Sequence, residues 1–213
     1  MNVNRHDRKP DILNHSVFLP EITSLEFEND ILQCLDILKR GGIILYPTDT
    51  IWGIGCDATN PDAVKKIYDL KQRPADKSMI VLIADPRDIN RYTSRPEPYI
   101  AKYLESVTRP TTVIYDGALG LAENLAGEDG SIGIRIVKDD FCRHLIKRFR
   151  RPLVSTSANI SGQEPPQNFA GIADEIKKGV DYVVKYRQQN EQPAKASVLV
   201  RFDKSGQAII LRS

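Results

Sequence analysis

Histidine and cysteine are scarce in this 213-residue chain, three of each, and tryptophan occurs once. Cys34, Cys56 and Cys142 are odd in number and have no C-x-x-C spacing, so neither a disulfide framework nor a zinc site is expected. His6, His15 and His144 offer little for acid–base chemistry. Two of them lie in a weakly patterned N-terminal stretch, the third in a helical stretch, and no G-x-S-x-G elbow accompanies them, which argues against a Ser/His hydrolase. The Walker pattern is also missing, so a nucleotide would not be held by a P-loop. Gly53-Ile54-Gly55 lacks the third glycine of a dinucleotide fingerprint. No apolar run approaches membrane-spanning length, and His6, Asp7, Arg8, Lys9 and Asp11 stand where a signal peptide needs an apolar core. A cytoplasmic protein without membrane contact is expected. Thirty basic residues are offset by 28 acidic ones, which removes any overall electrostatic pull on nucleic acid and leaves only local clusters such as Arg143 to Arg151.

What is present reads as one α/β domain. Residues 1–20 lack periodicity and are expected to be an N-terminal arm, with 21–213 forming the domain. Apolar residues recur at helical spacing from Leu25 to Arg40, with acids in the first turns, bases in the last and Gly41 as the stop. Asn60-Pro61 is an N-cap followed by a first-turn proline, and that helix is expected to reach Lys71. Further helices are expected at Asp85-Pro86, Pro98 to Val107, Asp140 to Phe149 and Phe169 to Lys178. Strands are expected at Ile43 to Tyr46, Ser78 to Ala84, Thr111 to Tyr115, Ser131 to Val137 and Pro152 to Ser155, then Tyr182 to Lys185, Ser197 to Phe202 and Ala208 to Leu211. Without strict βαβ alternation, the pattern implies a twisted mixed sheet of parallel and antiparallel strands carrying helices.

Three polar segments carry the chemistry. In Gly41 to Gly55 (GGIILYPTDTIWGIG) an apolar run stops at Pro47-Thr48-Asp49-Thr50, and Gly53 and Gly55 follow, where a ligand loop would need close approach or positive φ. Lys71 and Arg73 stand at i and i+2 beyond a helix that Pro74 ends, so both can be aimed at one ligand from irregular backbone. As exposed charges they should contribute only about 0–1 kcal/mol to folding. Ser155, Ser157 and Asn159 follow a strand end, where α/β proteins bind ligands. Each segment has a plain structural reading: a polar turn, a dipole-complementing helix end, a turn satisfying its own backbone. Together they supply hydroxyls, an amide and two cations without a His, Cys or acidic pair. Such a set is suited to bind, orient and neutralise an anion.

The order PTDT-x-x-G-x-G, K-x-R-P and STSAN-x-SG resembles the YrdC-like L-threonylcarbamoyladenylate synthases, from about Phe27 to the C-terminus. The resemblance implies the YrdC-like fold and a condensation of L-threonine, bicarbonate and ATP to threonylcarbamoyl-AMP and pyrophosphate. It implies Mg²⁺ held mainly through the phosphates and a tRNA-modifying transferase complex downstream, and it leaves open a direct contact with tRNA. By position, Lys71 and Arg73 match the catalytic ATP-phosphate pair, and Ser155, Ser157, Asn159 and Arg212 match nucleotide-binding residues. Thr48, Thr112, Arg135 and Ser197 match substrate-binding ones. No metal-ligating residue is implied. Thr108-Arg109-Pro110, Leu82 and Ala196-Ser197 depart from the family pattern, which leaves the amino-acid substrate open. An RNA-binding module resting on the basic cluster Arg143, Lys147, Arg148, Arg150 and Arg151, or an enzyme of carbamoyl or acyl phosphates sharing the anion site, is an alternative.

Overall fold

The structure is a computed structural model, which describes residues 26–74, 77–94 and 96–213. The expected arm at 1–20 lies outside the described residues. Glu28–Lys39 (α1) begins later than the periodicity implied. Its apolar face, including Ile31, Cys34, Leu35 and Leu38, is buried, as is Asp30, which accepts from Tyr182 Oη at 2.6 Å, Lys185 N at 3.0 Å and Tyr186 N at 2.9 Å. Three donors offset the cost of burying that carboxylate and tie α1 to the segment after residue 181.

The chain then runs through Ile44–Tyr46 (β1), Gly53–Gly55 (β2), Pro61–Lys71 (α2), Ile80–Ile83 (β3), Ile89–Tyr92 (α3), Pro98–Ser106 (α4), Thr111–Tyr115 (β4) and Ile132–Ile136 (β5). It continues with Asp140–Phe149 (α5), Leu153–Ser157 (β6), Asp174–Gly179 (α6), Tyr182–Val183 (β7), Val198–Phe202 (β8) and Ala208–Arg212 (β9). The helix expected to start at Asp85-Pro86 opens as a 3₁₀ turn, Pro86–Asp88, capped by Asp85. Asn60 caps α2 as expected, accepting from Asp62 N and Ala63 N.

Among the described residues nine strands form one sheet in the order β7-β1-β2-β6-β3-β5-β4-β8-β9. Three of its pairings are parallel (β1 with β7, β3 with β5, β4 with β8) and five antiparallel, the mixed sheet expected. Along β5 the isoleucines Ile132, Ile134 and Ile136 alternate with Gly133 and Arg135, and strand geometry sends the two sets to opposite faces. Helix α5 packs against β3 and α1, with Phe27, Phe141 and Tyr186 in ring contact at 5.1–6.0 Å.

Three expectations need correction. Gly53 and Gly55 lie in a strand and neither has positive φ. Their role is close packing: a Cβ on Gly55 would stand 2.5 Å from Val154 O and 2.6 Å from the Tyr46 ring. Ser155, Thr156 and Ser157 belong to β6 rather than to a loop after it, because β6 is central, with Ser157 opposite Gly53 and Ser155 opposite Ile80. The helix expected from Phe169 is limited to Asp174–Gly179. Phe169 instead meets Trp52 at 4.8 Å, and Asn168 Oδ1 accepts from Gly171 N, a local turn that competes with helix.

Candidate active site

The cavity-facing side of the sheet is short on side chains at its centre. Gly133 lies between Ile80 on β3 and Ile114 on β4, and a Cβ there would come within 3.1 Å of Ile80 Cγ2 and 3.3 Å of Thr112 Cγ2. The depression floors a cavity of about 280 Å³. Gly53 acts similarly at its edge, since a Cβ would crowd Ser155 Oγ at 3.0 Å.

Of the residues expected in a site, Arg73, Arg135, Ser155, Ser157, Ser197 and Arg212 line this cavity. They come from five separate stretches of chain, and the fold brings them together. Thr48, Lys71, Thr112 and Asn159 are not on the wall but directly behind it. Thr48 is buried, its hydroxyl donating to Ile51 O at 2.8 Å and accepting from Thr50 N at 3.0 Å. With its one proton committed, it accepts from Thr50 Oγ1 at 2.9 Å. The residue that reaches the cavity is Thr50. Thr112 is fully buried and shares a 2.8 Å hydrogen bond with Ser197 Oγ. Arg212 Nε and Nη2 donate to Ser197 O at 3.1 and 3.0 Å, so β9 closes one side of the cavity.

Lys71 corrects the expectation of an exposed charge. It is 1% exposed, and its ammonium donates to the backbone oxygens of Ser157 and Asn159. Lys71 therefore holds the end of β6 and the following turn in place. Burial, then the neighbouring Arg73, lower its pKa from 10.5 to about 8. A neutral amine keeps two hydrogens, enough for both carbonyls. Arg73 is bound locally as well: Nε donates to Lys77 O and Nη2 to Ser78 O, each at 2.8 Å, which orients it across the start of β3.

Arg135 is the most buried of the cavity's arginines, at 2%. Its Nη2 lies 3.2 Å from Asp49 Oδ1, an ion pair by distance that is not aligned as a hydrogen bond, since Arg135 Nε and Nη2 and Asp49 Oδ1 have no hydrogen-bond partner among the described residues. Arg212 is lowered from its ordinary pKa by burial and then by the charge of Arg135. Among the described residues the lining holds three arginines, seven hydroxyl side chains and no carboxylate. Cations held close together in a concave, partly desolvated space attract a multiply charged anion.

Ser78, Thr50, Ser131 and Thr156 were not singled out from sequence, yet they line the cavity. For Ser131 a signal existed: Ser131, Gly133 and Arg135 alternate with isoleucines, which assigns all three to one strand face. Lys71 had one too, at i+7 from Val64 and i+4 from Ile67, on the apolar stripe of α2.

The Sua5/YciO/YrdC family model, described as telomere recombination, matches residues 36–213. A threonylcarbamoyl-AMP synthase of Idiomarina loihiensis is 34% identical over 148 residues, 68% of this chain and 80% of the relative. The chain belongs to the Sua5/YciO/YrdC family. The fold agrees. P. abyssi Sua5, solved in complex with L-threonine, superposes with a TM-score of 0.73 at 22% identity over 85% of this chain and 53% of that one. E. coli YciO gives 0.74 at 21% identity, covering 87% and 89%. This Sua5/YciO/YrdC chain thus spans about half the length of the P. abyssi Sua5 chain. Among the described residues no helix is long and apolar enough to cross a membrane.

Proposed function

We propose that residues 21–213 form one domain that condenses L-threonine, bicarbonate and ATP into threonylcarbamoyl-AMP and pyrophosphate. The observation that carries this reading is a cavity lined, among the described residues, by three arginines and seven hydroxyls without a carboxylate. The amine of threonine bonds to the carbon of bicarbonate, the C–OH bond breaks, and the hydroxide leaves with an amine proton as water, giving a carbamate. A carbamate oxygen attacks the α-phosphorus of ATP, and the bond to the bridging oxygen breaks as pyrophosphate leaves with the electron pair. Two anions must be brought together and the leaving charge neutralised, which requires positioning and fixed cations more than a base.

In this reading Arg73 and Arg212 meet phosphate oxygens, with Ser155 and Ser157 as further donors. Arg135 and Ser197 meet the amino-acid portion. Lys71, Asn159, Thr48 and Thr112 act from behind the wall, keeping those groups in place. ATP enters as its Mg²⁺ complex, the metal held by phosphate oxygens and water. A cytoplasmic place of action fits three buried, unbridged cysteines.

Relatives are named threonylcarbamoyl-AMP synthase, which supports threonine as the amino acid. The test is mass identification of the product formed from ATP, bicarbonate and each candidate amino acid, with and without unmodified tRNA. Threonylcarbamoyl-AMP is expected, and the tRNA should stay unmodified until a separate transferase complex is supplied. An adduct of another amino acid, or no ATP-dependent product, would overturn the reading. The anion cavity would equally suit carbamoyl or acyl phosphates, and their turnover in the same assay is the competing outcome.

A further inference from the structure

Asp49 has no place in the cavity wall, yet it is the carboxylate that pairs with the group on which the amino-acid end of the site depends. Arg135 is 2% exposed, so its guanidinium cannot be solvated by bulk water. Two of its nitrogens lack hydrogen-bond acceptors among the described residues. Such a group is costly unless paired, and its ion partner among those residues is Asp49, at 3.2 Å. Asp49 is itself largely buried, with 13% of its side chain exposed, and its Oδ1 is unsatisfied. Its Oδ2 lies 3.5 Å from Lys138 N, just past the end of β5. One carboxylate therefore touches both the arginine on β5 and the backbone beyond that strand.

Asp49 also lines a second, more apolar groove of about 450 Å³ with Ile89, Ile100, Tyr115 and Ile136. Ile136 is on the opposite face of β5 from Arg135. The Asp49–Arg135 contact thus reaches round the end of the sheet, from the groove to the cavity. Arg135 has a counter-ion behind it, and it lines the cavity. Asp49 thus stands where it can fix the charge and the direction of the guanidinium that borders the cavity.

We infer that Asp49 is a positioning residue: acting through Arg135, it sets the hold on the carboxylate or carbamate of the amino-acid substrate while leaving ATP binding alone. The inference rests on the synthase reading above, and wild-type turnover separates the two: an inactive wild type defeats that reading, whereas an active wild type with an indifferent Asp49 defeats only this one.

The experiment is steady-state kinetics on Asp49→Asn, Arg135→Lys and the double variant. Asp49→Asn should raise KM for L-threonine about tenfold, the worth of one charge-assisted hydrogen bond, with KM for ATP changed less than about twofold. Because Asp49 acts through Arg135, adding Asp49→Asn to Arg135→Lys should cost less than about twofold more. If the two effects multiply, or if both KM values rise together, the inference is wrong. Should Asp49→Asn fail to fold, Asp49→Glu carries the test. It keeps the carboxylate one methylene away, and a rise in the threonine KM alone is expected. No rise, or an equal rise for ATP, overturns the proposal.

Discussion

Arg73, Arg135 and Arg212 share a cavity whose walls, among the described residues, carry no carboxylate, the Asp49 that pairs with Arg135 at 3.2 Å standing behind them, whereas around α5 Arg143, Arg148 and Arg151 pair at the surface, with Asp140 at 3.9 Å, Glu28 at 2.6 Å and Asp57 at 2.6 Å. The sequence presents both groups as basic residues near helix or strand ends. In the α5 group the charges are cancelled locally and mostly exposed, so little field reaches a ligand. In the cavity group the charges are concentrated and partly desolvated, and burial, then the charge of Arg135, lowers the pKa of Arg212. A bound anion would relieve the repulsion that Asp49, paired with Arg135, leaves between them. What separates a binding site from a solvated helix end here is where the counter-charge sits, and spacing alone does not reveal it.

The comparison is broken most severely by removing a cavity cation. Arg73→Ala and Arg212→Ala should each lower kcat/KM for ATP-dependent pyrophosphate release by about 10²–10³, the usual cost of a donor aimed at developing charge. Both should still fold. Rates near wild type would mean that the cavity charges do not serve catalysis.

Next in size is Lys71→Met, which sharpens the contrast between a cation on the wall and one behind it. Ser157 O and Asn159 O lose their donor, so folding should weaken by about 3 kcal/mol, seen as a lower urea midpoint at unchanged slope. Activity should fall with it, as the hydroxyls of β6 lose their support. The pH dependence has a definite sign. The folded pKa, about 8, lies below the ordinary 10.5, so between those values the unfolded chain holds a proton that the native protein has released. Stability from this group then rises as pH increases from about 8 to 10.5. The buried thiols of Cys34, Cys56 and Cys142 have raised pKa values and act in the opposite sense. The diagnostic quantity is the difference between wild type and Lys71→Met, which should widen in favour of wild type across that window. A constant difference would count against a lowered Lys71 pKa.

Much of this was legible in the residues alone. The Pro47 stop after β1, the Asn60 cap of α2 and the patterns of β4 and α5 are local signals, and each element formed where its signal stood. So was the set of polar segments, because the family resemblance rests on contiguous residues. Less visible was whatever depends on a partner strand. Gly53 and Gly55 looked like loop glycines until β6 and the Tyr46 ring lay beside them. The serines of β6 looked like a loop for the same reason. The division into wall and support, with Thr50 on the cavity and Thr48 behind it, is set by one proton on Thr48 Oγ1 and its acceptor Ile51 O. Asp49 had no distinguishing local feature at all, since its meaning comes from Arg135, far along the chain.

The smallest expected effect tests the other side of the comparison. Arg148 and Arg150 lie at the end of α5, Arg148 paired with Glu28 and Arg150 in the left-handed region at φ 61°. Replacing both with Ala removes one partly exposed ion pair and one solvated charge, so folding should change by less than about 1 kcal/mol. Pyrophosphate release should be unaffected, because neither residue lines the cavity. The same double variant examines the RNA-binding alternative. If these residues met phosphates, their removal would weaken tRNA affinity and make the salt slope shallower by about one for each phosphate no longer neutralised. The expected result is an unchanged slope, since Glu28, Asp57 and Asp140 already stand among the cluster's charges and Phe149, one ring beside it, is covered by Arg151 at 5.9 Å. A clearly reduced slope with unchanged turnover would transfer tRNA contact to α5 and leave the cavity to the small-molecule chemistry alone.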